Sequence, residues 1–347
     1  MRYAVSLTLF RTRDMNLGNK SNMNNMKKII FLFLSALMLL TGCYPDYVRD
    51  YDEGTGVYTA YQYDLRSFVM GENESFDFTV ALGGVIANDR DRKVKVVLDN
   101  SLLTSDLAQL APEKNYPSFT ALNAILGAGS FGNICQKYVT DDVKAAGITA
   151  LAPLPESYYK VSGLDAMTIK KGRHTAAVTI KATDFIKEDP KVFAPYYALA
   201  FRIESADADY LEPERSFEVI VVRCENRFFG QWSHSGADFS EADDKVYTFT
   251  TKDDKSVVMT GCNETGPLVL TFKDDNTIDV TSADGTAVIE AISGEPSVHN
   301  NSKLLQDRQI SLNIRCNGND FRETLKFRSR VRDGVLEYQD ENPENYK

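Results

Sequence analysis

The chain has 347 residues, 43% of them hydrophobic, and a formal net charge of −10 at pH 7. That hydrophobic share suffices for globular folding, and the roughly 300 residues left after the leader described below favour two domains over one, since single cores usually stop growing near 250 residues. The basic clusters are short, as in Lys170-Lys171, so a phosphate backbone would be repelled and no nucleic-acid partner is expected.

Residues 1–25 are polar and read as a misassigned start ahead of Met26 or Met23, so they are set aside from fold reasoning. Residues 26–42 read as a lipoprotein signal peptide. Lys27 and Lys28 precede an apolar run, 29–40, that closes on Leu40-Thr41-Gly42-Cys43, a bacterial lipobox. A run of about 12 residues is too short to span a bilayer of roughly 30 Å, which argues for a cleaved signal rather than a membrane span or a buried helix. Cys43 then becomes the first mature residue and carries the lipid that holds the protein to the outer membrane, facing the cell exterior. Residues 43–55 form a tether with four acidic residues, Asp46, Asp50, Asp52 and Glu53. It reads equally as a solvated linker and as resembling the acidic surface-export signal of Bacteroidetes lipoproteins.

Short β-rich segments with period-two alternation follow at 57–63, 75–81, 93–98, 167–170, 176–181, 196–203 and 217–222. With turns between them they predict an immunoglobulin-like sandwich of two antiparallel sheets over 56–223. Residues 101–155 interrupt the pattern with helix-like stretches at 102–110 and 141–146, and are expected as an insertion on one rim. From 227 to 345 strands recur at 229–233, 246–251, 256–260, 268–272, 277–281, 286–292, 309–315, 324–330 and 335–338. Asp274-Asp275-Asn276, Asp284-Gly285, Asn317-Gly318 and Asp333-Gly334 supply turn chemistry between them. The expected fold class is thus all-β: a sandwich with a helical or loop insertion, then a small, closed, lipocalin-like barrel.

Leu154-Pro155-Glu156-Ser157-Tyr158-Tyr159, then Met167-Thr168-Ile169-Lys170-Lys171-Gly172 and the strand 176–181, resemble the N-terminal β-sandwich of Bacteroidetes surface lipoproteins, the domain of unknown function 1735. The second half, opening on Phe228-Phe229-Gly230-Gln231-Trp232, resembles the uncharacterised domain of unknown function 4361 found behind it. The resemblance implies an origin among polysaccharide-utilisation genes, beside SusC-like and SusD-like proteins. Some relatives carry a family-eighteen glycoside hydrolase barrel. Here the Asp-x-x-Asp-x-Asp-x-Glu strand of those enzymes is absent, and about 120 residues cannot close a barrel that needs about 250.

Gly230-Gln231-Trp232 also resembles the G-x-W signature of lipocalin barrels, in which the indole plugs the closed end beneath an arginine, here Arg328 or Arg330. Trp232 is the only tryptophan, so a core plug and a sugar-stacking platform compete for it, with Tyr247, Tyr138, Tyr158 and Tyr159 as further platform candidates against strand-face packing. Gly127-Ala128-Gly129-Ser130-Phe131-Gly132 matches a dinucleotide string but lacks the βαβ unit it requires, and reads as a loop. His174, His234 and His299 are widely separated, so no metal site is expected. Paired carboxylates such as Asp243-Asp244, Asp253-Asp254 and Asp274-Asp275 read as solvated turns, with bound calcium the sharper alternative. Cys135, Cys224, Cys262 and Cys316 allow three pairings, among which Cys262 with Cys316 is preferred over free thiols.

No catalytic residue and no cofactor is expected. The expected function is non-catalytic carbohydrate binding at the cell surface, with membrane attachment through Cys43 and SusC-like and SusD-like proteins as neighbours. The alternatives are an adhesive lipoprotein that binds a protein partner, and a small glycan-acting enzyme whose carboxylates meet only in the fold.

Overall fold

Alternation in the sequence becomes two-faced strands in the computed structural model, which describes residues 50, 52–103, 145–148, 151–211, 215–234, 246–261 and 265–338. In Arg92–Leu98, Val94 and Val96 are buried while Lys93 and Lys95 face water. The protein is all-β, and the helical pieces among the described residues include short 3-10 turns such as Asp184–Glu188 and Pro190–Phe193.

One sandwich sheet runs in the order Tyr210–Leu211, Gly56–Thr59, Ser75–Gly83, Thr175–Ala182, Tyr159–Lys160. The other runs Tyr63–Met70, Phe217–Asn226, Tyr197–Ala206, Arg92–Leu98, Met167–Ile169, with Ala152–Pro153 added beside Tyr197–Ala206. Their facing sides meet in a core in which Phe78 stacks on Phe201 at 4.4 Å between ring centres, with Val80, Ile180, Leu199 and Ile220 around them.

Three features differ from the expectation. The strand Tyr63–Met70 carries no clean alternation in sequence because it is buried on both faces, and seven of its eight residues are buried. Second, it pairs in parallel with Phe217–Asn226, so the sandwich is not wholly antiparallel. Third, the described ends of the insertion lie over a sheet face rather than along a rim. Leu102, Leu103, Ile148 and Leu151 pack on Tyr63, Leu65, Ala198, Ala200, Val219 and Val221, forming a second small core outside the sandwich. The remainder of the expected helix-like stretches, together with the Gly127–Gly132 string, Cys135 and Tyr138, lies outside the described residues.

The second half is a nearly closed barrel ordered Ile278–Ser282, Leu268–Phe272, Ser256–Met259, Val246–Thr251, Gly230–His234, Asn319–Arg332, Gln309–Cys316, Ile289–Ala291. Val298–His299 joins Gln309–Cys316 and meets the first strand through a Thr277–Val298 bridge, which draws the two edges together. Tight turns fall where the sequence placed them: Asn317 and Gly318 have φ of 50° and 85°, Asp333 and Gly334 of 53° and 78°. The long strand Asn319–Arg332 extends past the barrel wall and folds back as Val335–Tyr338.

The sandwich core ends at Cys224 and the barrel core starts at Phe228, yet Tyr51–Lys347 forms one compact unit. One turn makes a buried ionic contact between the halves. Glu72, in the hairpin between Tyr63–Met70 and Ser75–Gly83, accepts from Arg308 Nη2 at 3.1 Å and Arg330 Nη1 at 3.2 Å through Oε2, and from Arg330 Nη2 through Oε1. Arg330 Nε and Arg332 Nε in turn donate to Glu337, at 2.5 and 2.7 Å. Burial works against an ionised Glu72, but Arg330 and Arg308 outweigh it and hold the carboxyl below its ordinary range.

Candidate functional site

Trp232 is fully buried, stacked on Phe249 at 5.2 Å and edge-on to Phe327 at 5.7 Å, with Nε1 donating to the Phe228 carbonyl at 2.9 Å. Tyr247 sits directly across the strand pair from it and is 1% exposed. Neither ring has a face free for a sugar, so the platform reading of Trp232 and Tyr247 is corrected: both fill the barrel core. The cations lie over other rings, Arg308 over the indole's neighbour Phe327 at 6.0 Å and Arg330 over Phe229 at 5.0 Å. Tyr159 is likewise packed into the sandwich core and offers no platform. Tyr158 is half-buried, and its hydroxyl donates to Asp189, which also accepts from Tyr197. Tyr158 therefore belongs to a hydroxyl–carboxylate cluster well away in sequence from Trp232 and Tyr247. Cys43 and Cys262 lie outside the described residues, while Cys224 and Cys316 are buried. No group of three or more potential metal ligands occurs among the described residues.

A different feature gathers polar side chains. Where Val335–Tyr338 folds back over the sandwich, an open cleft of about 640 Å³ lies against the outer face of Ser75–Gly83 and Thr175–Ala182. Alternation sends Phe78 and Val80 inward and therefore Asp77 and Thr79 outward into it. Thr179 stands opposite Asp77 in register and donates to it at 2.7 Å, and Lys181 continues the same wall. Arg332 and Glu337 form the opposite wall, locked to each other. In the amide orientation that satisfies its neighbours, Asn73 accepts from Arg332 at 3.2 Å and donates to the Ser75 carbonyl at 3.0 Å. Phe76, half-buried and 4.9 Å from Phe68, supplies an aromatic edge.

Beneath this cleft lies a cluster that sequence reading missed. Asp64 and Glu218, 3% and 5% exposed, come from the neighbouring strands Tyr63–Met70 and Phe217–Asn226, and Asp333 comes from the hairpin turn. Arg66 pairs with Asp64 at 2.7 Å, and Ser67 Oγ donates to Asp333 at 2.7 Å. Burial pushes Asp64 up to about 6 against the opposing pull of Arg66. Burial and then the charge of Asp64 push Glu218 well above its ordinary value, and burial raises Asp333. The available signal was a charged residue inside an otherwise apolar strand, as in Tyr63-Asp64-Leu65-Arg66 and Phe217-Glu218-Val219.

A family model described as a "-like, N-terminal domain" matches residues 50–209, less than half of the chain. No curated protein matches the sequence. Among solved structures, a protein of unknown function from Bacteroides ovatus superposes with a TM-score of 0.56 at 19% identity, covering 84% of this chain and 100% of that one. Two remoter similarities are a Bacteroides ovatus multidomain protein including the domain of unknown function 1735 (TM-score 0.32, 11% identity, 80% and 89% covered) and an auxiliary nutrient binding protein from Bacteroides thetaiotaomicron (TM-score 0.34, 9% identity, 76% and 88% covered). The sandwich and barrel together are therefore the fold of a Bacteroides protein whose own function is unknown.

Proposed function

We propose that this protein is a lipid-anchored, non-catalytic carbohydrate-binding protein of the bacterial surface, and that the saccharide lies in the cleft between the sandwich and the Val335–Tyr338 hairpin. The observation that carries this reading is the cleft itself. Asp77, Thr79, Thr179, Lys181 and Arg332 line an open cleft of about 640 Å³, a size suited to a few sugar rings, beside the edge of Phe76. Such side chains match the alternating donors and acceptors of sugar hydroxyls, and an aromatic edge suits the apolar C–H face of a pyranose. Glu337 is committed to Arg330 and Arg332, so its carboxylate serves the wall rather than proton transfer. Anchoring through Cys43 supplies many copies on one surface, so weak single-site affinity suffices for a polymer.

The test is retardation of residues 46–347 in native gels containing plant, microbial or host polysaccharides, with sugar release assayed in parallel. Retardation by one class, weakened by Asp77→Ala and Lys181→Ala and without released reducing ends, is the expected result. Release of sugars would overturn the non-catalytic reading. A second reading, capture of a protein partner, draws on the same hairpin: Val331, Val335, Leu336 and Tyr338 are 47%, 42%, 43% and 51% exposed there. Retention of all polysaccharide binding after Leu336→Ser would separate the two.

A further inference from the structure

A second, smaller cavity of about 360 Å³ opens at the junction where Asn226, Arg227 and Phe228 leave the sandwich and enter the barrel. Four cationic side chains, Lys187, Arg227, Lys255 and Lys273, line it against two carboxylates, Asp254 and Asp274. Lys187 is paired with Glu74 at 3.1 Å and Lys273 with Asp279 at 2.7 Å, so each of those charges is balanced outside the cavity. Arg227 is different. Its guanidinium donates to Asn301 Oδ1 and the Ser302 carbonyl, both at 2.7 Å, which are neutral acceptors, and its Nε is buried without a hydrogen-bond partner.

His299 forms part of the same wall. Its ring stands edge-on to Phe228 at 5.1 Å and Phe272 at 5.4 Å, and the residue is 7% exposed. Nδ1 accepts from the Asn301 amide at 3.2 Å, which places the ring proton on Nε2. The Lys273 backbone serves the ring as a weak acceptor that falls short of full hydrogen-bonding geometry at Nε2. One buried N–H donor on the cavity, Arg227 Nε, thus lacks an acceptor and a second, His299 Nε2, is only weakly satisfied, a condition that polar interiors avoid. Burial disfavours a protonated His299, with the Lys273 backbone pulling the other way and the Arg227 charge adding to the effect of burial.

We propose that this cavity is an oxyanion site that takes one carboxylate or sulfate group, carried on an acidic sugar or present as the free ion. Arg227 Nε and His299 Nε2 would donate to the anion, and the exposed ammonium of Lys255 would close over it. The backbone around Lys255 is already fixed, since Asn226 Nδ2 donates to the Asp253 and Asp254 carbonyls at 3.2 and 2.9 Å and the Phe272 amide donates to the Lys255 carbonyl at 2.8 Å. The proposal stands apart from the polysaccharide reading of the larger cleft, and either survives failure of the other.

The protein has only three histidines, so the ring Cε1–H signal of His299 is resolvable by NMR and is assigned by its loss in His299→Gln. Residues 46–347, which contain the whole of the compact unit Tyr51–Lys347, are titrated at constant ionic strength with sulfate, glucuronate and neutral glucose. The expected result is a saturable shift of the His299 signal with sulfate or glucuronate and none with glucose, and an affinity reduced about tenfold by Lys255→Glu. Tighter binding of glucuronate marks an acidic sugar as the ligand, and tighter binding of sulfate marks the free ion. Arg227→Gln should abolish the shift, but Arg227 also holds the 301–302 loop, so the exposed Lys255 provides the variant that leaves the fold intact. A His299 signal that does not saturate with either anion, or an affinity unchanged in Lys255→Glu, would overturn the proposal.

Discussion

Gly230 shows how one residue sets the barrel. It has φ of +126°, and a Cβ there would stand 2.7 Å from Arg330 Cβ and 2.7 Å from the Ser329 carbonyl oxygen. The strand must press onto Asn319–Arg332 at this point because a bulge between Gln231 and Trp232 turns the indole inward. Gly230→Ala therefore combines a strained φ with a backbone clash, and should cost about 2–3 kcal/mol in urea unfolding followed by Trp232 fluorescence. Trp232→Phe keeps the aromatic packing but leaves the buried Phe228 carbonyl without its 2.9 Å donor, an expected loss of about 2 kcal/mol. The G-x-W spacing was legible in the sequence because both residues answer local demands, a backbone that only glycine adopts and a ring too large to leave exposed. The cation was legible as a residue type but not as a partner, since Arg330 covers Phe229 and not the indole.

At the scale of elements, strands with one wet face could be read and strands with none could not. Thr175–Ala182 and Arg92–Leu98 alternate because one side meets water, whereas Tyr63–Met70 is covered on both sides and its polar residues are structural rather than solvated. Two of those polar residues, Asp64 and Arg66, form the cluster with Glu218 and Asp333, so missing the strand meant missing the cluster. Its titration has a definite sign. Asp64 is raised by burial from 3.8 to about 6, so the folded state holds that proton more tightly than the unfolded chain does. The stability it contributes is complete below pH 3.8 and is lost as pH rises through about 6, a change of about 3 kcal/mol if the site stays closed to water. Glu218, raised in the same direction, extends the loss to higher pH. Asp64→Asn should flatten the stability profile between pH 4 and 6 in urea titrations at a series of pH values. An unchanged slope would show that the cluster is solvated in solution.

Across the whole molecule, the two halves were legible from strand spacing and turn chemistry, but the contact between them was not. Glu72 lies 236 residues from Arg308 and 258 from Arg330, and a glutamate in a turn reads as solvated until those arginines are brought onto it. Because Arg308 and Arg330 are fully or almost fully buried, removing their shared carboxylate leaves Arg308 in the interior without this ion pair and Arg330 with Glu337 alone. Glu72→Gln is therefore expected to cost about 3–5 kcal/mol. It should also split unfolding into two steps, with Trp232 fluorescence following the barrel alone and far-ultraviolet circular dichroism following both halves. The pH dependence of this contact runs opposite to that of the Asp64 cluster. Burial opposes the Glu72 charge, but Arg330 and Arg308 depress its pKa below 4.5, so the stability it adds is present above pH 4.5 and disappears as pH falls through the folded value. Glu72 thus weakens the molecule on the acid side and Asp64 weakens it toward neutrality, so the two groups bend the wild-type profile in opposite senses. Glu72→Gln should lessen the acid-side fall, which other depressed carboxylates such as Asp189 and Asp209 share, and Asp64→Asn should lessen the neutral-side fall, which Glu218 shares, so that the two variants tilt the profile in opposite directions. Identical tilts would mean that the junction and the cluster titrate as one coupled network.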